Sequence, residues 1–324
     1  MNTLLKRTEI RKLSWGLLII SLFFVPGKVR SQTLDFGVFG GGVYYLGDIN
    51  PNLHFAASQP AFGGLVRYNL GDRWGFRAGV NTGKLKADDA DFYQIDAVQY
   101  FSPTDYDIND PEAIYYASSN RGLNFTTDLT EISLLVELNF FPYFVGSKKN
   151  TWTPYIFAGA AMYLYNPHPI GHTEINLRDL GTEGQGLSNR PEPYSHTAFA
   201  IPFGIGFKFS LGKRVGLGIE WGMRKTFNDY IDDISTTYYK DLYGFNPATQ
   251  IYYTTDPNSP SEIISQPINE EIYASDPTFS HKKGEKRGDE YNSDWYNFFG
   301  LTLTFKINLT KDNGCRDFNR DNYY

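Results

Sequence analysis

The chain has 324 residues, with 30 Lys and Arg against 36 Asp and Glu, and a mean hydropathy of -0.40. Beyond the N-terminus no apolar run reaches the roughly 18 residues of a membrane helix, and an acidic chain without a basic stripe repels nucleic-acid phosphate. An aromatic share of 17% beside 31 Gly points to many strands and tight turns.

The N-terminus reads as an address. Lys6, Arg7, Arg11 and Lys12 form a basic start, and 13–25 is an apolar stretch of signal-sequence length. Val29 and Ser31 offer small side chains at a cleavage site before Gln32, and no Cys follows to make a lipoprotein. Residues 1–31 hold six basic residues and one acid, which leaves a mature chain with 24 basic and 35 acidic residues and a net charge of -11. The expected domains are a signal peptide at 1–31, a barrel at 32–309 and a C-terminal tail at 310–324.

Period-two patterns predict eight strands, in chain order 34–46, 61–70, 74–83, 129–141, 152–165, 197–211, 215–228 and 294–309. Each is long enough for a tilted membrane strand. Three connections are short: Gly71-Asp72, a segment near Pro142 to Asn150, and Gly212-Lys213-Arg214. The others, 47–60, 84–128, 166–196 and 229–293, are long. Outer-membrane barrels sort their connections in this way, with short turns in the periplasm and long loops outside. The predicted fold is therefore all-β: an eight-stranded antiparallel transmembrane β-barrel with short periplasmic turns and long extracellular loops. An even strand number puts both termini in the periplasm.

Within the strands one face is large and apolar, and the other is small or charged. Leu301, Leu303, Phe305 and Ile307 oppose Thr302, Thr304, Lys306 and Asn308. Big apolar side chains suit lipid, and small ones suit a narrow lumen. This parity assigns Arg67, Arg77, Glu137, Lys208, Glu220, Arg224 and Lys306 to the lumen. Eight strands enclose side chains but no aqueous channel, so these charges are expected to plug the barrel, with a selectivity ring as the alternative. Trp74, Trp152, Trp221, Tyr68 and Tyr143 are expected in interfacial girdles.

Few residues point to chemistry. His168 and His172 lie among Pro167, Pro169 and Gly171, so no helix brings them onto one metal. Asp88, Asp89 and Asp91, like Asp229, Asp232 and Asp233, read as a solvated rim, with Ca²⁺ as the alternative. Lys282, Lys283, Lys286 and Arg287 read as a solvated basic patch. Ser195-His196 has no elbow or fixed spacing to support a triad. The expectation is a non-enzyme without catalytic residues, metal, cofactor or small-molecule substrate. Cys315, the single Cys, cannot form an internal disulfide. In an exported chain it is a candidate intermolecular bridge, favoured as a thiolate by Arg316.

Five segments carry a family resemblance: FGGGVYYLGDI at 39–49, KADDADF at 86–92, RGLNFTTDLTEISLLVELNFFPY at 121–143, TPYIFAGAAMYLYNP at 153–167 and RKTFNDYIDDISTTYYKD at 224–241. The chain resembles the PorG-like outer-membrane barrels of the type IX secretion system in Bacteroidota. The resemblance implies a role in secreting cargo to the cell surface, often linked to gliding motility. It implies partners in the periplasmic ring lipoprotein and that lipoprotein's partner protein, besides outer-membrane lipids. It brings no catalytic residues. The alternative expectation is a surface adhesion or binding barrel acting through its extracellular loops.

Overall fold

A computed structural model describes residues 33–92, 121–188, 190–246, 249–256, 259–279 and 281–308. The expected signal peptide at 1–31, the expected tail at 310–324 and Cys315 lie outside the described residues.

The strands are β1 (Thr33–Leu46), β2 (Gln59–Asn69), β3 (Trp74–Asp88), β4 (Asn124–Asn139), β5 (Trp152–Leu164), β6 (Pro167–His168), β7 (Thr197–Ser210), β8 (Val215–Thr226), β9 (Leu242–Asn246), β10 (Ile251–Asp256), β11 (Ser259–Pro267) and β12 (Trp295–Asn308). Two short helices are α1 (Leu177–Leu180) and α2 (Glu270–Ser275). Eight strands form one antiparallel ring in the order β3-β2-β1-β12-β8-β7-β5-β4, and a β3–β4 pairing closes it. The first and last strands meet along their full lengths, from Thr33↔Asn308 to Leu46↔Trp295. Closure leaves no unpaired edge in the ring.

The ring's outward side chains include Phe36, Val80, Leu134, Phe199, Ile205 and Leu301, all exposed. In water such a band would be untenable; against hydrocarbon it is the stable surface. No helix among the described residues is long and apolar enough to cross a membrane. The inner face carries small residues where the lumen is crowded. A Cβ on Gly206 would stand 2.5 Å from Tyr155, and one on Gly222 would stand 2.6 Å from Phe157. Those glycines let two aromatic rings cross the lumen.

At one end the connections are tight, with Leu70 N–H donating to Trp74 O and Leu211 N–H to Val215 O. The 140–151 connection tucks under this end. Tyr143 and Val145 are buried there, and a Cβ on Gly216 would meet both. Lys306 Nζ donates to Val145 O. Tyr143 thus caps the lumen rather than joining a girdle: its ring is the piece that fills the mouth.

At the other end the long connections build a cap. Ile49, Phe92, Leu123, Leu177, Ile231 and Ile234 continue the apolar core of Phe39, Val43, Tyr163 and Phe298 upward from the ring. The 229–293 region was expected to be loop. It contains the sheet β11-β10-β9 and the helix α2, whose Asn269 side chain accepts from Ile272 N–H at 2.9 Å. Leu242, Tyr252, Ile272 and Phe279 form its own small core. Further along the 47–58 connection, His54 and Phe55 pack on the outer wall against Trp221. There Trp221 Nε1 donates to Tyr44 Oη at 2.9 Å, and His54 Nδ1 lies 3.0 Å from that oxygen.

Candidate functional site

Two buried polar layers are stacked along the barrel axis. The lower one centres on Glu137. Arg67 and Arg77 are directly paired across β2 and β3, an arrangement that like charges oppose. Glu137 resolves it by accepting from Arg67 Nη2 at 3.2 Å and Lys208 Nζ at 2.5 Å, with Arg77 Nε in ion-pair contact at 3.1 Å. Arg77 also reaches Glu220 at 2.6 Å, and Tyr155 Oη donates to Glu220 at 2.7 Å. Higher up, Arg224 Nε donates to Glu131 at 2.9 Å, and Tyr296 Oη adds a bond at 3.0 Å. Arg67, Arg77, Lys208 and Arg224 are all buried, as are Glu131 and Glu137.

The geometry places the seven expected lumen residues on the inner face and adds two acids, Asp35 and Glu131. Asp35 lies 3.9 Å from Arg67 and accepts from Asn69 at 2.8 Å. Strand parity identifies Glu131, which shares a face with Ser133 and Glu137. Asp35 had no clear signal, because both faces of β1 carry glycines and aromatics.

The upper layer is the cap. Glu183 is fully buried. It accepts from Arg287 Nη1 at 3.1 Å, from Ser235 N–H at 2.9 Å and from Thr236 N–H at 3.1 Å. Asp233 accepts from Thr182 Oγ1 at 2.5 Å and Tyr194 Oη at 2.8 Å, with Arg287 Nη2 at 3.6 Å. Arg121 clasps Asp89 at 2.9 Å and Asp48 O at 3.0 Å. Two expectations are corrected here. Asp89, Asp232, Asp233 and Arg287 are buried and are not part of a solvated rim or patch. Asp89, Asp233 and Arg287 are each paired with an opposite charge distant in sequence, which makes burial tolerable.

Burial dominates the ionisation of the cap. It pushes the Asp48 carboxyl up to about 7, against the pull of Arg121. It pushes Asp229 up to about 8, despite help from the Ser235 hydroxyl. Asp233 rises to about 6, with Arg287 opposing.

The remaining candidates do not assemble into chemistry. His168 Nδ1 lies 2.6 Å from Ile175 O, while His172 sits beside Glu174. Ser195 Oγ accepts from Thr197 N–H, and His196 Nδ1 faces Tyr165 O at 3.3 Å. Among the described residues, no group of three or more His, Cys, Asp or Glu is arranged to hold a metal ion.

The family model called Domain of unknown function (DUF6089) matches residues 14–100 and 98–247. The chain belongs to the DUF6089 family. No curated protein matches it. Among solved structures, this DUF6089 chain is similar to the N-terminal β-barrel domain of Pseudomonas aeruginosa OprF, at 10% identity, a TM-score of 0.32, and coverage of 86% of this chain and 98% of that one. It is similar to Neisserial surface protein A, at 9% identity, a TM-score of 0.36, and coverage of 86% and 100%. It is also similar to OprG of Pseudomonas aeruginosa, at 11% identity, a TM-score of 0.36, and coverage of 86% and 98%. The motif region 224–241 falls inside the DUF6089 match and supplies Arg224 to the lumen layer and Asp232 and Asp233 to the cap. The protein is a closed, eight-stranded antiparallel β-barrel with an apolar outer face.

Proposed function

We propose that the chain is a non-enzymatic outer-membrane fixture of the type IX protein secretion and gliding machinery. In this reading both termini are periplasmic. The short turns and the tail 310–324 hold the periplasmic ring lipoprotein and its partner protein, and Cys315 forms a covalent lock to one of them.

The observation that carries the fixture role is the filled lumen. Glu137 draws Arg67, Arg77 and Lys208 onto the axis, Tyr155 and Phe157 cross beside it, and Tyr143 and Val145 close the turn end. Such a barrel works through its surfaces. The choice of machinery rests on the five family-like segments, above all 224–241.

The test is a non-reducing pull-down through a tag in the cap. Recovery of ring proteins, one in a reductant-sensitive band lost in Cys315→Ala, supports the proposal. A barrel recovered without periplasmic partners sinks it. A second reading, surface binding through the cap, draws on the exposed Tyr243, Tyr253, Ile263 and Tyr273. There, deletion within 242–267 abolishes function while tail deletion does not.

A further inference from the structure

Tyr45 presents one hydroxyl to two carboxylates. It donates to Asp232 Oδ2, and its oxygen lies 3.0 Å from Asp294 Oδ1. Tyr45 and Asp232 are 1% exposed, and Asp294 is 0% exposed. The outer oxygens are already occupied: Asp232 Oδ1 accepts from Ile234 N–H and Asp294 Oδ2 from Ile231 N–H, both at 2.9 Å. No cation stands within salt-bridge distance of either carboxylate among the described residues. Arg121 is spent on Asp89, and Arg287 on Glu183 and Asp233.

The other groups facing the pair make matters worse. Asp48 follows β1 and Asp229 follows β8, and both are further carboxyls. Tyr163 and Tyr165, at the end of β5, face Asp294 and bring no positive charge. Asp289 and Glu183 act on Asp48 and Asp229, and only Arg121 counters them, through Asp48.

A hydroxyl has one proton to give. Donated to one carboxylate, it leaves the second facing the lone pairs of the same oxygen. That contact is bonding only if the second carboxyl carries its own proton and donates it back. We propose that Asp232 and Asp294 hold one proton between them through Tyr45, that this proton fastens cap segment 229–234 to β1 and β12, and that its loss frees the segment from the barrel mouth. The lock follows from hydrogen-bond stoichiometry and does not depend on the secretion reading.

Ionisation agrees with the geometry. Burial raises both carboxyls well above the ordinary range, and Asp48 beside Asp232, with Asp232 beside Asp294, raises them further. The closed segment therefore binds more protons than the open one. Its stability is complete below the ordinary carboxyl range and falls as pH rises from there toward the closed-state value. Each proton released on opening makes the opening constant rise about tenfold per pH unit.

The test is amide exchange over 229–234 in the full chain in detergent, between pH 6 and 9, corrected for intrinsic exchange against amides of β7. The parent is expected to open at least tenfold more per pH unit. Asp294→Asn supplies the missing donor as an amide while its oxygen still accepts from Ile231, so its slope is expected to be about tenfold per unit shallower. Asp232→Asn is the independent second variant. An Asp294→Asn slope equal to the parent's overturns the proposal. So does a segment that opens on adding EDTA without pH dependence, because a cation would then do the proton's work. Failure of both variants to assemble also counts against it, since the amides keep every bond that the lock requires.

Discussion

Arg224 and Glu131 meet at 2.9 Å in the lumen although 93 residues separate them. Both are buried, and Arg224 also lies over the Phe298 ring at 4.7 Å. Removing one partner would strand the other charge at a depth that water does not reach. Glu131→Ala is expected to lower stability by about 3–5 kcal/mol. The double variant Glu131→Leu with Arg224→Met is expected to recover much of that loss. Urea unfolding in micelles measures both, and a double variant no better than the single would contradict the pairing.

The lower layer makes a related prediction. Glu137 serves three cations, so Glu137→Gln leaves Arg67, Arg77 and Lys208 repelling one another across a few ångströms. Adding Lys208→Met removes one cation and is expected to restore part of the stability. The same network predicts silence in planar bilayers: the purified barrel is expected to show no stepwise conductance. Regular channel steps would mean that the charges line a path and do not fill it.

Strand identity was legible because membrane strands repeat a simple physical demand, lipid on one side and crowding on the other. Leu301 to Ile307 shows it without any partner. The lumen charges were legible for the same reason, since Arg77 or Lys208 on an otherwise small face has only the interior to enter. The cap was not. Asp233 and Arg287 are charged residues in polar stretches, and locally they look solvated. What buries them is Glu183, Thr182 and Tyr194 arriving from another loop, and periodicity carries no information about such meetings. The hairpin of β10 and β11 did leave a signal in the apolar and β-branched stretches IYYTTD at 251–256 and EII at 262–264.

Gly206 tests the crowding argument. A side chain there would meet Tyr155 Cε1 at 2.5 Å and the Ile219 carbonyl at 2.6 Å. The ring can rotate only by giving up its bond to Glu220, and the carbonyl belongs to the β7–β8 ladder. Gly206→Val is expected to block closure of the barrel, read as loss of the heat-modifiable folded band. Gly212, in the open turn, has nothing within 4 Å of its Cβ position. Gly212→Ala is expected to assemble normally, so the pair separates crowding from a general dislike of substitution.

Arg287 tests whether cap and barrel are separable. Its Nε donates to Ser275 O at 3.1 Å, and its Nη1 reaches both Glu183 at 3.1 Å and Asp233 O at 2.5 Å. One planar fork thus ties α2, the 181–186 turn and the 229–241 segment together. Lysine carries the charge but cannot span three acceptors in fixed directions. Arg287→Lys is therefore expected to loosen the cap nearly as much as Arg287→Ala. The barrel bonds lie lower, between strands that Arg287 does not touch, so the ring is expected to survive. Limited proteolysis should then cut both variants within 229–293 at a rate at least tenfold above the parent, leaving a folded barrel core. Lysine behaving like arginine would reduce the clamp to a point charge.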